Sequence, residues 1–170
     1  TLGSGPMMLY FGQEVGEPGE GVEGFGGEDG RSTIFDYWGV PEHQKWMNGG
    51  KFDGGLLSDD QKKLRAFYVK LLNLAKDSEA IREGQAYDLQ YANKRHQSKN
   101  YDYKKMHTFM RYTKNDRVMV IANYLRKEPV KTYIKLPQSA WKAIGLNPTN
   151  DYVIKDMLLT DTEIKFNGLD

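Results

Sequence analysis

The 170-residue chain contains no cysteine, which excludes disulfides, thiol nucleophiles and cysteine-ligated zinc. It leaves the compartment open, because a secreted protein need not use cysteine. Long hydrophobic runs are also missing. The longest uninterrupted apolar stretches, such as Met7 to Phe11, fall far short of the roughly 20 residues of a membrane helix, and nothing resembles a signal peptide. There is no Gly-Lys-Ser/Thr phosphate loop, and the glycines between Gly16 and Gly30 do not lead from a strand into a helix as a dinucleotide site requires. The three histidines, His43, His96 and His107, have no acidic partner at ligand spacing, so they are expected on the surface or in a β-domain.

Two scarcities are local. Glu14 to Gly30 holds no Lys or Arg, and only three of the eighteen glycines lie beyond residue 55. Residues 1–60 carry eleven acids and three bases, a net charge of −8; residues 61–170 carry twelve acids and twenty-one bases, a net charge of +9. An evenly built domain would not divide this way, which predicts two regions of different character meeting near Ser58. The chain starts at Thr1, so a processed chain or a piece of a larger one is expected.

In the first region, Met7–Phe11 lies between glycines and does not alternate, the pattern of a strand buried on both faces of a mostly parallel sheet. A glycine-rich acidic loop follows. Its six carboxylates between Glu14 and Asp29 lack the spacing of an EF-hand, so a solvated loop is expected rather than a calcium site. Irregular sequence then continues to Gly55 with aromatics at Phe35, Tyr37, Trp38, Trp46 and Phe52; long loops of this kind tend to be functional.

Helix signals begin at Ser58. Ser58 and Gln61 have capping-box spacing, and Asp59 and Asp60 put negative charge in the first turn. Leu64, Phe67, Tyr68, Leu71, Leu72 and Ala75 share one face, giving an amphipathic helix over Ser58–Lys76. A further turn, Ser78 to Glu83, stops at Gly84. Beyond Gly84 the period becomes two, with strands expected at Gln85–Tyr91, Met106–Thr113, Arg117–Leu125, Val130–Leu136, Tyr152–Leu158 and Glu163–Phe166. A short helix around Ala140–Ile144 closes at Gly145. The second region therefore reads as an antiparallel all-β module, a small sandwich.

These segments together resemble the end of an α-amylase-family glycoside hydrolase. Gly5-Pro6-Met7-Met8-Leu9-Tyr10-Phe11-Gly12-Gln13-Glu14 resembles the family's "G-x-P-x-h-Y-Y-G-x-E" at the eighth barrel strand. Ala80-Ile81-Arg82-Glu83-Gly84-Gln85 is similar to the segment after its last barrel helix. Phe109-Met110-Arg111-Tyr112 with Val118-Met119-Val120-Ile121-Ala122-Asn123 resembles the "af-x-R … v-l-v-v-x-N" hairpin opening its C-terminal β-domain. The motifs occur in family order over roughly residues 3–125.

The resemblance implies a mixed fold: the remnant of a (β/α)8 barrel over 1–83 (last strand, long loop, last helix), followed by an antiparallel all-β sandwich domain over 84–170. It implies a parent enzyme that cleaves α-glucosidic bonds of starch-like glucans by a retaining route. The catalytic carboxylates of such an enzyme lie on earlier strands, so the chain alone is expected to be inactive. It further implies, at Glu14, either sugar contact or a structural role in holding loop backbone, and substrate contact at Arg31 and Trp38; Tyr37 is suited by its ring to stack on a sugar or to pack the loop against the barrel. Arg31 stands at the Arg of the family's "R-x-P-M-x-W" segment, from which this chain departs: Thr33 replaces the Pro and Trp38 comes two positions late. Trp46 is also physically suited to stack on a sugar. No cofactor is expected within the fragment, and any calcium would belong to the missing part of the parent.

The expected partners are an α-glucan and the rest of the barrel, with neither nucleic acid nor membrane. Localisation is left undetermined. The competing reading is a noncatalytic carbohydrate-binding or structural β-module. A basic stacking surface for nucleic acid, built on Lys94, Arg95, Lys99, Lys104 and Lys105 among Tyr91, Tyr101 and Tyr103, is the weaker alternative to a solvated, lysine-protected edge.

Overall fold

A computed structural model describes residues 2–18, 40–95, 98–125 and 128–168. The chain is mixed α/β with antiparallel sheets, and it divides into two compact units, Pro6–Leu72 and Asn73–Asp170 with Thr1–Gly5.

In the unit Pro6–Leu72, a 3-10 turn at Gln13–Val15 lies between Gly12 and Gly16, both left-handed, and buries Val15 completely. Gly12 is required twice over. Its φ of 78° suits glycine, and a Cβ there would stand 2.7 Å from the Cβ of Glu17. Helix α1, Pro41–Met47, starts with proline at its first turn and ends at a left-handed Asn48. Helix α2, Asp59–Asp77, opens with both halves of the capping box: Ser58 N–H donates to Gln61 Oε1 at 3.0 Å, and Gln61 N–H to Ser58 Oγ at 3.3 Å. The apolar face predicted for α2 is half-buried from Leu64 to Ala75, and none of its nineteen residues is fully buried.

In the other unit, the short helix α3, Glu79–Arg82, is capped by Ser78 Oγ, which accepts from Ile81 N–H at 3.3 Å. Strands β1 (Gln85–Asp88), β2 (Met106–Tyr112) and β3 (Arg117–Asn123) form an antiparallel sheet in that order, with Met110 opposite both Tyr87 and Met119. Helix α4 (Gln90–Arg95) follows β1. Helix α5 (Gln138–Ile144) precedes the hairpin of β4 (Tyr152–Lys155) and β5 (Glu163–Phe166), which forms a separate two-stranded sheet. The core gathers Leu89, Met110, Ala140, Trp141 and Ile144, and the rings of Trp141, Tyr152 and Phe166 lie 5.9 Å from one another.

Asp116 ties α3 to the β2–β3 turn. Its Oδ2 accepts from Ser78 Oγ at 2.5 Å and from Ala80 N–H at 3.0 Å. From β2 the buried Arg111 donates through Nε to Ala80 O at 3.2 Å and through Nη2 to Ile81 O at 2.9 Å. Gly84 lets the two pieces close: a Cβ there would lie 2.2 Å from Ala80 O and 2.7 Å from Tyr112 O.

Four sequence expectations require correction. Met7–Phe11 is not a strand and joins neither sheet, and Met8 is 84% exposed. A strand apolar on both faces needs neighbours on both sides, and the described residues supply none to that run. The first β-strand stops at Asp88, whose carboxylate accepts from Gln90 N–H at 2.7 Å and starts α4, so the region beyond Gly84 is not all-β. Val130–Leu136 forms no ladder. Instead the side-chain amide of the fully buried Asn93 pairs with the backbone of Lys135, accepting from its N–H at 2.8 Å and donating to its carbonyl at 3.1 Å. The strand from Tyr152 ends at Lys155, because Asp156 turns the chain by accepting from the N–H groups of Leu158, Leu159 and Thr160.

Candidate functional site

Of the four candidate substrate-contact residues, Glu14 alone is described. Arg31, Tyr37 and Trp38 lie outside the described residues. Glu14 sits half-buried on the 3-10 turn. The turn is held by its neighbours: Gln13 Oε1 accepts from Tyr10 N–H at 3.2 Å, Gln13 Nε2 donates to Tyr68 OH at 2.8 Å, and Gln61 Nε2 donates to Val15 O at 3.0 Å. The turn is therefore tied to α2 at two points.

Glu17 performs a role that the sequence did not announce. Its Oε2 accepts from the N–H groups of Glu42 and His43, both at 3.0 Å, and so caps α1 from twenty-five residues upstream. The signal was the helix start itself: Pro41 at N1 follows Val40, which has no side chain to cap with. Glu42 in turn holds Lys45 Nζ at 2.8 Å through both oxygens and accepts from Gln61 Nε2. These bonds, Lys45's first, keep its carboxyl below the usual carboxylate range.

On this frame four rings run in sequence. Phe11 and His43 have centroids 4.3 Å apart, His43 and Trp46 5.6 Å, and Trp46 and Phe52 5.7 Å, with mutual tilts of 41°, 44° and 61°. The Arg65 guanidinium lies 5.1 Å from the Trp46 ring centroid. The end rings are half open to solvent, Phe11 at 50% and Phe52 at 56%. His43 Nδ1 and Arg65 Nε are buried without a hydrogen-bond partner among the described residues. Asn48 and Asp53 brace the far end: Asp53 Oδ1 accepts from Asn48 Nδ2 and Gly55 N–H, both at 2.8 Å, and these bonds lower its pKa. Chemically, the cluster offers ring faces and planar nitrogen donors, while its carboxylates are engaged in capping and pairing.

Sequence reasoning placed Trp46 among the sugar-facing candidates and missed His43 and Arg65. Arg65 was hidden because it falls between the apolar positions of α2, where a base reads as solvated surface. Among the described residues no group of three or more His, Asp or Glu side chains is arranged to hold a metal ion, and no helix is long and apolar enough to cross a membrane. On the basic segment, Lys94 Nζ lies 4.2 Å from the Tyr103 ring centroid and Lys99 Nζ 5.9 Å from that of Tyr133, so each ring carries a lysine of its own chain over one face. No family model, curated protein or solved structure matches the chain.

Proposed function

We propose that the chain is the C-terminal part of an α-amylase-like retaining glycosidase that acts on α-glucosidic bonds of starch-like glucans. In this reading residues 1–83 correspond to the last strand, loop and helix of a (β/α)8 barrel, with Met7–Phe11 taking up strand pairing only where barrel neighbours flank it, and residues 84–170 correspond to the β-domain that follows in sequence. One observation carries it. Arg111, the arginine of the hairpin motif, is buried and donates to the carbonyls of Ala80 and Ile81, the start of the helix-end motif. Two segments that resemble the family separately are thus joined by the side chain that defines one of them. The exposure of Met8 and Phe11 in an apolar run agrees with a segment built to be covered by barrel strands.

Retaining hydrolysis needs two carboxyl groups about 5–5.5 Å apart across the scissile bond, one as nucleophile and one as acid and then base. Neither role is assigned to a residue of this chain. Its contribution would be to bind and orient glucan at the rim of the cleft, through the loop after the eighth strand. The test is the reading frame that encodes Thr1. The frame is expected to continue upstream through the family's Asp and Glu motifs, and the intact mass of the natural product to exceed that of these 170 residues. A natural product that begins at Thr1 would favour the binding-module alternative.

A further inference from the structure

We propose that Phe11, His43, Trp46, Phe52 and Arg65 form a contact surface for an α-1,4-glucan chain; this rests on the reading of the chain as part of a glucan-acting enzyme and adds to it the residues that touch the ligand. Three features of the cluster point the same way.

The first is the exposure of the rings. A row of aromatics in a core would close over its ends, yet Phe11 and Phe52 remain half open while the smaller Val15 beside the turn is fully buried. The second is unspent hydrogen-bonding capacity. Among the described residues His43 Nδ1 and Arg65 Nε lack hydrogen-bond partners, as Arg111 Nη1 also does, and native structures seldom leave such groups unsatisfied. Both side chains are themselves only half-buried. The third is rigidity. Glu17 caps the helix that carries His43 and Trp46, Gln61 links α2 to the 3-10 turn and to Glu42, and Asp53 fixes the loop around Phe52. The rings are held in place before anything binds, which lowers the ordering cost of binding.

The chemistry selects the ligand. A pyranose offers C–H faces to rings and hydroxyls to planar donors. Residues 6–72 carry eleven acids and seven bases, a net charge of −4, which gives a polyanion no net attraction to this unit and leaves an uncharged polyhydroxylated chain unaffected.

Affinity electrophoresis of the full chain through gels containing amylopectin tests this, with dextran and heparin gels as controls. The wild-type chain is expected to be retarded by amylopectin alone, and Phe52→Ala and Arg65→Met each to weaken that retardation by at least about fivefold. Circular dichroism of each variant checks its fold. If Arg65→Met misfolds, Phe52→Ala decides, because its ring is already 56% exposed. No retardation of the wild type by amylopectin, retardation by heparin or dextran instead, or unchanged retardation of a folded Phe52→Ala variant would overturn the surface. The enzyme reading fails separately: amylopectin binding that depends on Phe52, in a protein whose longer natural form releases no sugar from starch, would leave the surface standing and remove the hydrolase.

Discussion

Asp116 accepts hydrogen bonds from Ala80 N–H of α3 and from its cap residue Ser78. Burial disfavours its charged form, but the hydrogen bonds from Ser78 and Ala80, with the backbone and charge of Arg117, outweigh burial and hold its pKa below the usual value. A carboxyl whose folded pKa is depressed contributes stability above its unfolded value near pH 4, and that contribution is lost as pH falls through the folded pKa. Asp116→Asn is therefore expected to destabilise the chain by about 1–3 kcal/mol at pH 7 and by less at a pH low enough to protonate the folded carboxyl, measured by urea unfolding at both. An equal loss at the two pH values would show that the charge is not what matters. Gly12→Ala is expected to cost about 1–3 kcal/mol, because φ is 78° there and the new methyl meets Glu17 at 2.7 Å. Since Glu17 caps α1, hydrogen exchange at the Glu42 and His43 amides should rise in that variant.

Elements with local signals were legible in the sequence. The capping box at Ser58 and Gln61, the helical turn before Gly84, the β2–β3 hairpin and the left-handed Gly145 after α5 all stand where spacing and turn residues predict. Elements that depend on distant partners were not. Met7–Phe11 reads as a strand because its composition is that of one, yet strand identity is completed only by neighbours. Val130–Leu136 alternates as a strand does, but its backbone is met by the Asn93 amide, and nothing local announces that pairing. The site divides in the same way. Trp46 was visible as a residue type, while His43 and Arg65 acquire meaning only through their placement around it. At this scale Gln61→Ala is expected to cost more than Ser58→Ala, for which about 1 kcal/mol is typical, because Gln61 also holds Val15 O and Glu42. Thermal melts of the two variants give the order; equal losses would reduce Gln61 to its part in the cap.

For the whole molecule, the uneven charge and glycine content now has a structural counterpart. The acidic, glycine-rich part contains a braced turn and a row of half-exposed rings, and the basic part contains helix ends locked to an antiparallel hairpin by Arg111 and Asp116. In the proposed account the first belongs to the rim of a sugar cleft and the second to its support, with the reacting carboxylates carried elsewhere. The most direct test is release of reducing sugar from soluble starch by the purified 170-residue chain, run beside the same chain extended by its natural upstream coding sequence. The account predicts no release by the chain alone and release by the extended protein. Hydrolysis by the chain alone that disappears when its own carboxylates are mutated, or no hydrolysis by the extended protein, would contradict it.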